Sequence, residues 1–265
     1  MNRQKKLKTY QLINLLAFVL MIVINVLADT LPFNGITTSE VAKLYPNLFM
    51  PADITFAIWG VIYLALAMYI LFQFGIFVRK GKDQIDFVFN VGWLFTVSAL
   101  ANVNWLLFWH NQQILSSLFT LIILLITLGM INKQLRRRKL VSNREKWFVH
   151  IPFSIYFSWT VVATLANLNT YLVVTGMDAF DAMGRVWTAM LLLVATFIAI
   201  IFLVKRHDLA YSLVTIWALL GIILKQVQTY NSAYTSVIVT SSLCILLIIA
   251  GMAYVLLKKK DPQRI

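Results

Sequence analysis

Three stretches of this sequence repeat aromatic and amide side chains at helical spacing. Phe56, Trp59 and Tyr63 stand at i, i+3 and i+7, and Asn102, Trp105 and Trp109 repeat that interval with Phe108 beside them. Trp159, Ala163 and Asn167 stand at i, i+4 and i+8, and Tyr156 extends the row. Each set falls on one helical face. Flat rings supply stacking surface and amides meet a few polar atoms, so such faces can line a cavity for a flat, largely apolar ligand, with the small Ala163 leaving room. The same rows also suit plain packing, because Trp and Tyr form interfacial belts and Asn side chains join helices in a bilayer. Trp109, Trp147 and Trp187 fit the belt. Spacing alone leaves both readings open.

Other chemistries find little to work with. His110, His150 and His207 fall at expected helix ends on both membrane sides and cannot converge on one metal, and the single cysteine, Cys244, makes neither a disulfide nor a thiolate cluster. No Gly-rich phosphate loop and no intramembrane Asp/Glu pair occurs, which argues against a pump. Asp53 suits the electrostatics of a helix N-terminus better than catalysis. No catalytic residue, metal ligand or required cofactor is assigned.

The elements that must position the three rows follow from composition. Of 265 residues, 60% are hydrophobic and 12% charged, whereas soluble domains sit near ~45–50% and ~25%. The chain is therefore expected to be an all-α, polytopic membrane bundle. Apolar stretches long enough to cross a bilayer fall near 10–30, 51–78, 86–109, 113–132, 148–171, 184–204, 209–225 and 233–257, giving eight spans. The first is read as a retained helix because Val26-Leu-Ala28 makes a poor signal-peptide cleavage site. Pro51 is expected to open the second at its first position.

With the N-terminus in the cytoplasm, 20 of the 23 Lys and Arg fall on that side; only Lys43, Arg185 and Lys225 do not. The net charge of +13 is thus the positive-inside signature of a multi-pass cell-membrane protein with both termini cytoplasmic, and nucleic acid drops out as a partner. The basic loop 133–146 could meet anionic lipid heads, but a solvated positive-inside loop accounts for it more simply. The outer loop 31–50 carries a capping-box pattern at Thr37-Thr38-Ser39-Glu40, which predicts a short helix over about 39–45. Intramembrane amides concentrate before residue 171, in Asn14, Asn25, Gln73, Asn90, Asn102, Asn104, Asn167 and Asn169. Residues 1–171 are expected to form a five-helix bundle with a polar interior, and 172–265 three further, more lipid-facing helices.

The segment from Pro51 through Trp59-Gly60 to Tyr63 resembles the second-helix signature of the translocator protein/tryptophan-rich sensory protein (TspO/MBR) family. Asn102-Val-Asn-Trp105-Leu-Leu-Phe108-Trp109 resembles its third-helix motif, and Trp159 through Ala163-Thr164 to Asn167, preceded by Pro152, its fifth. The match covers roughly residues 10–171. Pro152 stands farther before Trp159 than in the family pattern, and Phe153 replaces the Tyr that follows it there. The resemblance implies a five-helix bundle whose interior binds porphyrins or related flat apolar ligands. It names Phe56, Trp59, Tyr63, Asn102, Trp105, Phe108, Trp159, Ala163 and Asn167 as pocket positions, and it makes the last three helices an extension. The expected function is a membrane sensor for a tetrapyrrole-like ligand. A transporter of a small amphipathic solute and an enzyme degrading bound porphyrin are the alternatives. Expected partners are membrane lipid and the apolar ligand, with a homodimer left open.

Overall fold

The computed structural model describes residues 2–31, 33–78, 85–138 and 141–260; Arg79, Lys80, Lys82, Lys139 and Arg264 of the basic segments lie outside them. Most of the described residues are helical, with no strand among them. Seven helices are long and apolar enough to cross a membrane: Arg3–Thr30, Asp53–Gln73, Ile114–Arg136, Asn143–Val174, Ala182–Arg206, Leu209–Tyr230 and Thr235–Lys258. Leu16, Leu64, Phe197 and Leu246 are each about 60% exposed or more. Apolar side chains turned outward along so many spans suit lipid and not water.

The third expected span, 86–109, is not among the seven; it is divided into two helices, α4 (Phe87–Val91) and α5 (Trp93–His110), separated by Gly92. Gly92 takes φ +48°, a left-handed conformation that glycine adopts at little cost. The 18 residues of α5 include Asn102, Asn104 and His110, which dilute its apolar character.

The chain divides by its contacts into two units, residues 1–41 with 58–160, and residues 42–57 with 161–265. This differs from a division at 171/172: the cut falls inside a helix, and residues 42–57, between the first two long helices, go with the last three.

In the first unit, α1 (Arg3–Thr30) is the organising element. Its residues Tyr10, Asn14 and Asn25 meet Trp93, Thr96 and Asn102 of α5, so the two helices run parallel. The same α1 meets Gln73, Tyr69 and then Tyr63 of α3 (Ile58–Gln73), which runs antiparallel to it. The short turn 111–113 sends α6 (Ile114–Arg136) back along α5. Beyond it, α7 (Asn143–Glu145) and a π-helical turn (Lys146–His150) lead into α8 (Ile151–Val174).

Near the N-terminal end of α1, a polar layer is closed on itself. The Asn14 amide donates to Tyr69 Oη and Gln73 Oε1 and accepts from Thr96, while the Gln11 and Gln73 side chains each donate to the other's backbone carbonyl. Beside it Tyr69, Phe95 and Phe153 pack ring on ring, with centroids 4.9–6.2 Å apart. At the other end the capping box forms as predicted: Thr37 N–H donates to Glu40 Oε2 at 2.7 Å and Glu40 N–H to Thr37 Oγ1 at 3.4 Å, opening α2 (Thr38–Lys43). Trp109 is not a belt residue. It is 4% exposed, and its indole N–H donates to the Thr38 carbonyl at 3.1 Å, tying α5 to this loop together with a His110–Thr38 contact of 3.0 Å.

In the second unit, α9 (Ala182–Arg206), α10 (Leu209–Tyr230) and α11 (Thr235–Lys260) pack on one another. Asp181 and Asp208 cap α9 and α10 by accepting from Gly184 and Tyr211 N–H. Residues 44–57 lie against α10. Ala52 N–H donates to the Gly221 carbonyl, the Trp217 indole N–H to the Thr55 carbonyl and the Gln226 amide to the Leu48 carbonyl, all at 3.0 Å. These bonds explain why Pro51 does not begin an α-helix. The backbone of this segment is committed to α10, and Asp53–Ala57 forms a tighter 3-10 turn before α3 starts at Ile58. They also make α10 a packing partner of the chain's own loop and not a lipid-facing accessory.

Candidate ligand site

Four helices of the first unit bring aromatic and amide side chains to one place. Trp59 is the hub. Its ring stacks on Tyr63 of its own helix (5.7 Å between centroids) and on Trp105 of α5 (5.3 Å). It meets the edges of Tyr156 and Trp159 from α8 at 6.1 and 6.2 Å. Trp105 and Trp159 are buried, whereas Trp59, Tyr63 and Phe108 keep part of their surface accessible. Stacking and edge contacts of this kind each add ~0.5–1.5 kcal/mol beyond the area they bury.

An amide chain runs beside the rings. The Tyr63 hydroxyl donates to Asn25 Oδ1 at 2.5 Å, and Asn25 Nδ2 donates to Met21 O at 2.8 Å and to Asn102 Oδ1 at 2.9 Å. Because Asn25 must donate there, Asn102 must present its oxygen, and its own NH2 takes no part in that bond. Asn102 is fully buried, yet its Nδ2 closes no hydrogen bond; neither does the buried indole N–H of Trp105, one turn further along the same face. A buried donor left without an acceptor costs ~1–3 kcal/mol. This layer therefore differs from the closed Asn14–Gln73 layer of the same bundle: it is open by two donors.

Of the expected positions, the structure gathers Trp59, Tyr63, Asn102, Trp105 and Trp159 through these contacts, with Phe108 one turn beyond on α5. Phe56 stands in the 3-10 turn, so the helical face expected for Phe56, Trp59 and Tyr63 begins only at Trp59. Phe56, Ala163 and Asn167 belong to the second unit. Two members were absent from the expected set. Tyr156 carried a signal, since it extends the Trp159 row. Asn25 carried none beyond being an amide in an apolar helix, because only the parallel packing of α1 and α5 brings it between Tyr63 and Asn102.

The rings also limit how a ligand can sit. A flat molecule slotted between two rings needs them about 7 Å apart, twice a ~3.5 Å contact. The stacked Trp59 and Trp105 leave no such gap, so a ligand would meet only the parts of Trp59, Tyr63 and Phe108 that stay accessible. Among the described residues, no group of three His, Cys, Asp or Glu side chains could hold a metal.

With this geometry in view, comparison with known families is decisive at one level. A family model described as TSPO-like protein matches residues 11–254. The chain belongs to the TSPO-like protein family. The match runs through α9 and α10 and into α11, so these helices are part of the family's matched region and not an addition to it. No curated protein and no solved structure matches the chain.

Proposed function

We propose that this membrane protein is a tryptophan-rich sensory receptor that takes a flat apolar ligand carrying hydrogen-bond acceptors, such as a porphyrin, against the Trp59–Trp105 cluster. The observation that carries the reading is the pair of orphaned buried donors, Asn102 Nδ2 and Trp105 Nε1, beside the partly accessible Trp59 and Tyr63. Native bundles rarely leave such groups unpaired. A carboxylate or carbonyl on the ligand would accept from them while its ring system stacks on Trp59 and Tyr63. Family membership supports the same reading.

The protein lies in the cell membrane with eight spans and both termini cytoplasmic. Two features support this. α5 runs from Trp93 beside Tyr10 of α1, past Asn102 beside Asn25, to His110 beside Phe33 of the turn that follows α1, the length of a bilayer crossing (about 27 Å for 18 residues). Arg3, Arg138 and Arg144 pair with Asp86, Asn90 and the Phe77 carbonyl, so basic residues of the N-terminal segment and of the 133–146 loop gather at one end of the first unit.

Titration of purified protein with protoporphyrin tests the ligand. Tryptophan emission should be quenched saturably, because the rings lie within energy-transfer range of the ligand. Trp105→Phe keeps the ring and removes the donor, so it should weaken binding about 3–10-fold, the worth of one net hydrogen bond. Equal affinity in Trp105→Phe, Asn102→Leu and Trp59→Ala proteins, all still folded, would show the cluster to be packing.

A further inference from the structure

The end of the first unit that gathers the basic residues holds a second feature, unconnected with the tryptophan cluster and independent of the reading above. Phe77, Asn143, Arg144, Trp147 and Phe148 line an open cleft of about 310 Å³. It lies where α3 leaves the bilayer and the chain re-enters it at the start of α8. Three observations set it apart from an ordinary surface groove. Phe77 takes φ +68°, a left-handed conformation that a bulky side chain adopts only under strain. Its carbonyl is held by the Arg144 guanidinium. The walls are aromatic: Phe77 stacks on Phe148 with centroids 5.5 Å apart, and Trp147 is 67% exposed from a π-helical turn, a distortion common at functional positions.

The charges are distributed unequally around this cleft. Arg138 is fully engaged, chelating the buried Glu145 at 2.6 and 3.1 Å and reaching Asn90 at 3.2 Å. Arg3 pairs with Asp86 at 2.8 Å. Among the described residues Arg144 has a neutral carbonyl for its partner and no carboxylate, so its positive charge faces the cleft uncompensated. Phe74 and Ile76, both 45% exposed, continue the apolar surface beyond Phe77.

We infer that this cleft binds the headgroup of an acidic phospholipid: the phosphate sits on Arg144 with the Asn143 amide beside it, and the acyl chains run out along Phe77, Trp147 and the Phe74–Phe77 surface. A cation ringed by aromatic walls at the membrane boundary matches an amphipathic anion. The positive surroundings in the 133–146 segment favour an acidic lipid over a zwitterionic one.

Trp147 reports on its own site. The protein is reconstituted in phosphatidylcholine vesicles with a minor fraction of brominated phosphatidylglycerol or, in parallel, of brominated phosphatidylcholine. Quenching at Trp147 is taken as the part that a Trp147→Phe protein lacks. The acidic lipid should be enriched at Trp147 about fivefold over the zwitterionic one, the effect of one cation near the surface. Arg144→Gln should bring the ratio to about one, and Arg144→Lys should keep most of it. Equal quenching by both lipids, or a preference that survives Arg144→Gln, overturns the assignment. So does its loss in a folded Arg144→Lys protein, which would make Arg144 only a tie for the Phe77 carbonyl. Relief of the quenching by inorganic phosphate at matched ionic strength would give the cleft to a soluble anion instead.

Discussion

Asn25 and Asn102 do different work although they share a hydrogen bond. Asn25 uses both its amide oxygen and its NH2 between helices or within α1, so Asn25→Leu breaks two interhelical bonds and strands Tyr63 Oη and Asn102 Oδ1. Asn102→Leu breaks only one and at the same time removes a donor that had no partner. Interhelical bonds of this kind are worth ~0.6–2 kcal/mol each in membranes. Asn25→Leu should therefore lower the unfolding temperature in detergent clearly more than Asn102→Leu, while Asn102→Leu takes the larger share of any loss in ligand affinity. The reverse order of stabilities would mean that the amide chain does not run as the structure has it. Asn14→Leu, in the closed layer, should destabilise without touching affinity. Sequence alone marks all three as intramembrane amides, but it cannot separate an open layer from a closed one. That distinction rests on which side chains face one another across α1, α3 and α5.

At the scale of the element, local signals were read correctly wherever they acted locally. The Thr37–Glu40 box closes as its spacing requires, and helix α2 follows within a residue or two of the expected place. Pro51 misleads because its context is not local. The Ala52 N–H that an α-helix starting there would leave to itself goes to Gly221 of α10, more than a hundred and fifty residues away in the chain. Trp109 misleads for a similar reason, since an indole that suits a belt by composition is captured by the Thr38 carbonyl. Gly221 is the position where the loop–helix docking is most exposed to test. A methyl group there would overlap Thr55, whose Cβ and both branch atoms stand against it and which cannot swing away from its β-branched backbone attachment. Gly221→Ala should force segment 44–57 off α10, lowering the unfolding temperature and opening residues 44–57 to protease in a protein whose other loops stay intact. Unchanged melting and proteolysis would show that the docking contributes nothing. Gly221 also gives a reason for α10 to belong with this loop: a small residue lets the backbones approach closely enough for the Ala52–Gly221 bond.

The whole molecule turns on whether α5 crosses the membrane. With seven spans the two ends of the chain face opposite sides, and with eight they face the same side. By hydropathy α5 falls short, because Asn102, Asn104 and His110 dilute it and Gly92 cuts it from α4. By contact it does not, since its partners advance in step from Tyr10 and Asn25 on α1 to Phe33 in the turn just beyond it. The polar residues that hide the span from composition are in part the ones that build the candidate site: Asn102 joins the amide chain, and His110 is buried against Thr38. A functional helix is thus harder to read as a span than its lipid-facing neighbours. Single cysteines decide the matter. Cys244, the only native one, is buried, so Cys244→Ala gives a silent background at modest cost in packing. On it, Asn2→Cys and Lys258→Cys should both resist a membrane-impermeant maleimide added to intact cells and react once the cells are opened. Thr175→Cys, exposed in the second long outer loop, should react from outside, and Val141→Cys in the basic loop should not. If Asn2→Cys and Lys258→Cys label from opposite sides, α5 does not cross, and the parallel course of α1 and α5 cannot describe the protein in its membrane. If both label from outside, the span count stands and the positive-inside assignment of the 20 basic residues is inverted.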